Sequence, residues 1–287
     1  KEMYNMSRGG DMLTKFSVTN YRNFKETLTI DFEDKHDYKF NSVATKNGII
    51  SKSLVFGKNG CGKSSLGFAL FDIIITITDL YATKELYNSN NFLNADSNSK
   101  YAEFNYEFKF KDDIIQYNYK KEEPEELIVN NKKIYDFNFK TRKGNFKNLE
   151  IIGAETLNLD VNNINIAILK FIANNTIQKE SSTIKKLLDF VSHMLWFRCL
   201  ESNSFIGLTS ENVELNDWIV KNNLVNEFES FLHDMAGLNI KIGKVQIGKS
   251  NILLENHKNK QLFFNEIASS GTKSLQLLFF WSKKFEE

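Results

Sequence analysis

The octapeptide Gly57-Lys58-Asn59-Gly60-Cys61-Gly62-Lys63-Ser64 constrains this chain more than any other stretch, because it satisfies G-x-x-x-x-G-K-[ST] at every fixed position. A short apolar run of the kind that forms a buried strand, Ser53-Leu54-Val55-Phe56, leads directly into it. Behind it, residues 65–74 are long and apolar enough for a buried helix. Strand, glycine loop and helix in that order are the setting of a P-loop, and a chance match in a glycine-rich turn would not supply the flanks. Gly57, Gly60 and Gly62 permit backbone angles and an approach to phosphate that a Cβ would obstruct. The loop N–H groups then point inward, and the positive end of the next helix adds to the anion site. The pattern predicts that Lys63 reaches the β- and γ-phosphates of a nucleoside triphosphate as the catalytic charge, and that the Ser64 hydroxyl ligates Mg²⁺. ATP and Mg²⁺ are the expected cofactors, held by Gly57, Lys58, Asn59, Gly60, Cys61, Gly62, Lys63, Ser64 and Ser65.

Length allows one large core or two modest ones in 287 residues. A net charge of +1 gives no global pull toward nucleic acid or membrane, although a local basic groove stays open. Of the two cysteines, Cys61 lies in the glycine loop and Cys199 far from it, which fits reduced thiols in a cytoplasmic protein better than a disulfide framework. Residues 1–10 lack the apolar core of a signal peptide. The most apolar window, residues 66–80, is too short and too interrupted by Asp72, Thr76, Thr78 and Asp79 for a membrane span. Met12 fits a native start, with residues 1–11 as an upstream segment.

Residues 13–19 and 27–32 alternate apolar and polar with period two, so they read as an antiparallel pair. Residues 88–100 read as a loop. Residues 101–110 alternate again, placing Phe104, Tyr106, Phe108 and Phe110 on one face, and runs at 114–120, 127–129 and 132–139 continue an antiparallel meander with a turn at Asn130-Asn131. An aromatic stripe of this kind packs against a core more often than it stacks on bases. Helical spacing begins near residue 164, with one helix opening at Ile166, Leu169 and Ala173 and a second over 182–200 capped by Ser181 or Ser182. Residues 216–237 read as a further helix closed by Gly237. His193 and His233 lie on these helices with no partners at metal or nucleophile spacing. Short strand-like runs follow at 238–244, 245–248, 252–255 and 261–264.

Near the end, Ser269-Ser270-Gly271-Thr272-Lys273 opens another apolar helix. Such a stretch caps ordinary helices as often as it binds an anion. Paired with the P-loop, it predicts a second anion site.

The order N-x-[RK]-x-F at Asn20, Arg22 and Phe24, then the P-loop, the meander, a helical insertion and S-x-G-T-K resembles the ABC-type ATPase head of the SMC, RecF and OLD kind. Within that group the chain is most similar to the AAA-like ATPases of bacterial anti-phage and abortive-infection systems. The resemblance implies an α/β P-loop NTPase with a mixed sheet, an antiparallel β-subdomain and a helical insertion. Its parts would be an ATPase lobe over 12–160, the insertion over 161–237, and second-lobe strands with the signature helix over 238–287. It implies that Asn20, Arg22 and Phe24 lie near the nucleotide. It also implies that Ser269, Ser270 and Gly271 bind the nucleotide held by a facing copy, with Ser269 and Gly271 touching its γ-phosphate, so the expected partner is a second copy at least. Ser270 stands where many members have Gly. The family's Walker B strand, ending in Asp-Glu, and its histidine switch would fall beyond Glu287.

By this resemblance the chain is an ATPase whose head-to-head assembly controls an effector, a nuclease in cis or in trans, in defence against phage. The alternative is a DNA-repair or chromosome-organising ATPase of the RecF or SMC kind, although no heptad arm lies between P-loop and signature. A third reading is a nucleotide-binding scaffold without hydrolysis. Transport has no support in the sequence. Lys109, Lys111, Lys120, Lys121, Lys132 and Lys133 would either line a DNA groove or solubilise strand edges.

Overall fold

A computed structural model describes residues 11–34, 42–78, 92–111, 113–120, 124–154, 157, 160, 162–177, 179, 182–198, 204–207 and 213–286. The chain divides into two compact units, Lys1–Met194 and Leu195–Glu287. The divide falls inside the stretch 161–237 expected as one helical insertion.

The first unit is built on a seven-stranded sheet. Its strands are β1 (Met12–Thr19), β2 (Leu28–Asp31), β5 (Glu103–Phe110), β6 (Asp113–Lys120), β7 (Glu125–Val129), β8 (Lys132–Asn138) and β9 (Lys143–Asn145), in the order β2-β1-β5-β6-β7-β8-β9. A separate two-stranded hairpin joins β3 (Thr45–Lys46) to β4 (Ile49–Ile50). The period-two runs thus form strands, and the β1–β2 pair and the meander merge into one sheet through β1–β5 pairing. The β7–β8 turn at Asn130 and Asn131 has both residues at positive φ (49° and 62°), the backbone a tight two-residue hairpin requires.

Alternation puts Phe16, Val18, Phe104, Tyr106, Phe108, Phe110, Ile115, Tyr117, Leu127 and Val129 on a buried face. Four helices supply its cover: α1 (Lys63–Leu70), α2 (Asp72–Ile77), α3 (Ile168–Asn175) and α4 (Thr183–Ser192). Phe190 of α4 packs its ring 5.4 Å from Phe108 and 5.6 Å from Phe110. The aromatic stripe is therefore core, where each fully buried ring contributes about 1.5–3 kcal/mol. Ser182 caps α4 by accepting from the Lys185 N–H. At the start of α3 the cap is borrowed instead. The buried Glu125 carboxylate of β7 accepts from the N–H groups of Ile168 and Leu169 and from the Tyr135 hydroxyl. Burial pushes its pKa up.

The second unit comprises a hairpin of β10 (Leu195–Arg198) and β11 (Ser204–Gly207), helices α5 (Leu215–Lys221) and α6 (Val225–Ala236), the meander β12 (Ile242–Ile247), β13 (Ser250–Asn256) and β14 (Gln261–Phe263), the short α7 (Phe264–Ile267) and α8 (Ser270–Glu286). Ile219, Phe228, Leu232, Ile242, Leu253, Phe264 and Phe279 form its main core. On another side of α8, Leu277, Phe280 and Trp281 collect Leu195, Phe205, Leu215 and Trp218.

Several expectations need correction. The helix expected over 182–200 ends at Ser192, because Leu195, Trp196 and Phe197 pair with β11, and the Phe197 ring stands 6.1 Å from Trp281. The helix expected over 216–237 is two, broken at Asn223, whose φ of 58° no α-helix accommodates. The runs at 238–244 and 245–248 supply a single strand, β12. Most consequential, Ser53-Leu54-Val55-Phe56 belongs to no strand, and Leu54 and Phe56 are 91% and 90% exposed. Every strand pairing among the described residues is antiparallel, so the mixed sheet has no parallel member there. A run of this kind becomes a buried strand only where a neighbouring strand pairs with it, and none of the described strands pairs with this one.

Candidate phosphate-binding loop

The glycine loop runs from a segment at 53–58 without regular structure through a turn at Asn59-Gly60 into the first turn of α1. Gly60 and Gly62 carry φ of 80° and 102°, the left-handed region that a side chain disfavours. At Gly62 space is also short: a Cβ would lie 3.1 Å from Asn23 Cβ and 3.1 Å from the Phe24 ring. Gly62 is the residue before α1 and offers it no side-chain cap. The first N–H groups of that helix, which have no intrahelical acceptor, therefore have no capping side chain at Gly62 either.

Lys63 folds back over the loop, its ammonium donating to the carbonyls of Gly57 and Lys58 at 2.8 Å each. Ser64 is exposed at the helix start. Lys58 and Asn59 are exposed as well, as is the free thiol of Cys61, whose Sγ sits 4.0 Å from Lys63 Nζ. Ser65 turns inward and donates to Asn23 Oδ1 at 2.6 Å. The Asn23 amide in turn donates to the Gly60 carbonyl at 3.0 Å.

The turn after β1 thus meets the loop directly. Phe24 packs on Gly62, and Arg22, at φ 47°, lays its guanidinium 4.1 Å over the Phe68 ring of α1. Asn94 holds the Arg22 carbonyl at 2.6 Å. Arg22, Asn23, Ser65, Asn94, Ala95 and Asp96 line an open cavity of about 440 Å³. Asn20, also at positive φ, is buried, and its amide donates to the carbonyls of Ser99 and Tyr101, which fixes the end of β1 against the approach to β5. Of the three early residues, Phe24 meets the loop and Arg22 meets the helix, while Asn20 serves the sheet.

Two tyrosines seat α1 on the sheet from below. Tyr106 donates to the Ala69 carbonyl at 2.8 Å, and Tyr119 donates to the buried carboxylate of Asp72, just past the α1–α2 break at Phe71, at 2.7 Å. Burial, with the Asp72 carboxylate nearby, pushes the Tyr21 phenol up. Sequence reasoning missed Asn23, Tyr106 and Asp72 as supports of the site. Asn23 stood in view, at the unspecified position between Arg22 and Phe24.

In the second unit, Ser269, Ser270 and Gly271 are exposed. Ser269 Oγ accepts from the Thr272 N–H at 3.2 Å, an ordinary serine cap for α8. The lysines considered for a DNA groove are partly occupied: Lys109 faces Glu33, Lys120 Glu103, Lys132 Glu150, and Lys133 both Glu126 and Asp136. Lys121 lies outside the described residues. Among the described residues no group of three or more His, Cys, Asp or Glu could hold a metal ion, and no helix is long and apolar enough to cross a membrane.

No known family matches the sequence, and no curated protein does either. Among solved structures the chain is similar to the recombination mediator protein RecF with ATP in the RecFOR pathway, at 13% identity and a TM-score of 0.28, over 96% of this chain and 69% of that one. A likeness this distant assigns no family.

Proposed function

We propose that the loop at residues 57–64 binds the phosphate chain of ATP, and that the protein is an ATPase of the ABC type. The observation that carries this is the junction of loop and helix: Gly62 in the left-handed region, no side-chain cap on α1, and Lys63 within reach of the loop interior. An uncapped helix start facing a glycine loop suits a polyphosphate, since the N–H groups and the helix dipole both favour negative charge. Lys63 would exchange the two carbonyls it now holds for phosphate oxygens, and the exposed Ser64 hydroxyl is placed to ligate Mg²⁺. The metal, when bound, neutralises charge on the phosphates and supplies no covalent chemistry. Lys58 and Asn59 would contribute backbone N–H groups, and the Cys61 N–H, which donates to the Lys58 carbonyl, would turn to phosphate only on binding. Arg22 and Phe24 shape the ground beside them, and Asn20 anchors their turn to the sheet.

On this reading Ser269, Ser270 and Gly271 of a facing copy complete the site, and ATP-dependent assembly controls an effector, a nuclease in anti-phage defence. The support for that step is the sequence resemblance and the exposed start of α8. Light scattering of the full-length gene product with and without Mg-ATP, for wild type and Lys63→Ala, tests it. ATP-driven self-association that the substitution abolishes is the expected result. Tight ATP binding with an unchanged oligomeric state would overturn the assembly step.

A further inference from the structure

We infer that Asn23 is a positioning residue for the phosphate loop: one side chain sets the shape of the loop and the orientation of the helix start together. This inference rests on the reading of residues 57–64 as a nucleotide site. Asn23 uses both ends of its amide. Its Nδ2 donates to the Gly60 carbonyl at 3.0 Å, and its Oδ1 accepts from the Ser65 hydroxyl at 2.6 Å. Gly60 is on the loop and Ser65 is in the first turn of α1, so the two bonds bracket Gly62, Lys63 and Ser64. The bracket is tight, because the Gly62 α-carbon passes so close that a Cβ there would lie 3.1 Å from Asn23 Cβ.

The chemistry singles out an amide. The amide carries a donor and an acceptor on one short planar group, which lets it satisfy the Gly60 carbonyl and the Ser65 hydroxyl at once. An aspartate would keep the Ser65 bond, lose the Gly60 bond, and set a negative charge beside a loop meant for phosphate. The bond to the Gly60 carbonyl also has an orienting effect. With that carbonyl engaged by Asn23, the peptide plane between Gly60 and Cys61 is fixed, and on its other side the Cys61 N–H donates to the Lys58 carbonyl at 3.4 Å, so the turn is held at both ends of one peptide. Asn23 itself is held from outside the loop, since its neighbour Arg22 is tied through its backbone N–H to the Phe92 carbonyl and through its own carbonyl to Asn94. The loop is therefore shaped by a turn far away in sequence, before any ligand arrives. Preorganisation of this kind raises affinity by removing the ordering cost from the binding step.

The test is equilibrium binding of a fluorescent ATP analogue with Mg²⁺ to the full chain, for wild type, Asn23→Ala, Ser65→Ala, the double variant and Ser65→Thr, with thermal melting of each. Asn23→Ala is expected to weaken binding about tenfold, and Ser65→Ala several-fold. The double variant should be no weaker than Asn23→Ala alone, because the two substitutions break a shared bond. Ser65→Thr, which keeps the hydroxyl, should recover most of what Ser65→Ala loses. A purely structural role would lower the melting temperature without that non-additivity or that rescue. Wild-type binding with affinity unchanged in Asn23→Ala would overturn the inference and leave the nucleotide site standing. Absence of binding by folded wild type would overturn the nucleotide site itself.

Discussion

Three helix starts in this protein, those of α1, α3 and α8, meet the same physical demand in different ways. The first N–H groups of any helix lack an intrahelical acceptor. At α8 the chain answers locally, with the Ser269 hydroxyl on the Thr272 N–H. At α3 the answer is borrowed, the Glu125 carboxylate reaching from β7 to Ile168 and Leu169. At α1 no side chain answers; Gly62 enters the helix left-handed and uncapped, and the turn at Asn23 and Phe24 braces the loop from the side instead. Two helix starts that look alike in sequence, with glycine just before α1 and in the first turn of α8, therefore differ in what they leave available. The start of α1 is shaped by distant residues and left without a cap. That of α8 has already engaged one of its donors.

The comparison can be broken at each start. Glu125→Ala should have the largest effect, because it strands two buried N–H groups and the Tyr135 hydroxyl; a loss on the order of 3 kcal/mol in urea unfolding is expected. Gly62→Ala should follow, at about 2 kcal/mol, from the left-handed backbone and the contacts with Asn23 and Phe24, together with weaker ATP binding. Ser269→Ala should remove about 1 kcal/mol, and Ser269→Asp, which restores a capping oxygen, should return it. If Ser269→Ala proved as costly as Glu125→Ala, the distinction between local and borrowed caps would fail.

The smallest effect concerns pH. Burial raises the Glu125 pKa in the folded protein. Its contribution to stability is fully present below the ordinary carboxylate range and is lost as pH rises through the elevated folded value. The stability of wild type relative to Glu125→Gln should therefore increase on going from about pH 8 to about pH 5, read by thermal melting at both. A difference that does not change, or that shrinks on acidification, would show that the carboxylate is not held in a raised state.

Much of this was legible in the sequence because it is local or periodic. The strand faces followed from alternation, the turn at Asn130-Asn131 from residue type, the Ser182 cap from its place before an apolar helix, and the loop from its spacing of glycines. What the sequence hid depends on residues far apart. Asn23 and Ser65 are joined by one hydrogen bond that no periodicity encodes, and Glu125 gave no sign that it would cap a helix some forty residues on. Leu54, Val55 and Phe56 read as a buried strand because they are apolar, yet burial is a property of what lies beside a run. Leu195 and Trp196 fitted a helical stripe and were captured instead by β11, where an aromatic cluster rewards the extended form.

The most direct test of the central claim is a calorimetric titration of the full-length protein with Mg-ATP, wild type against Lys63→Ala. Binding by wild type, weakened at least a hundredfold by the substitution while the melting temperature of the free protein stays the same, is the predicted result. Equal affinity in the two proteins would contradict it and place any nucleotide site somewhere other than this loop.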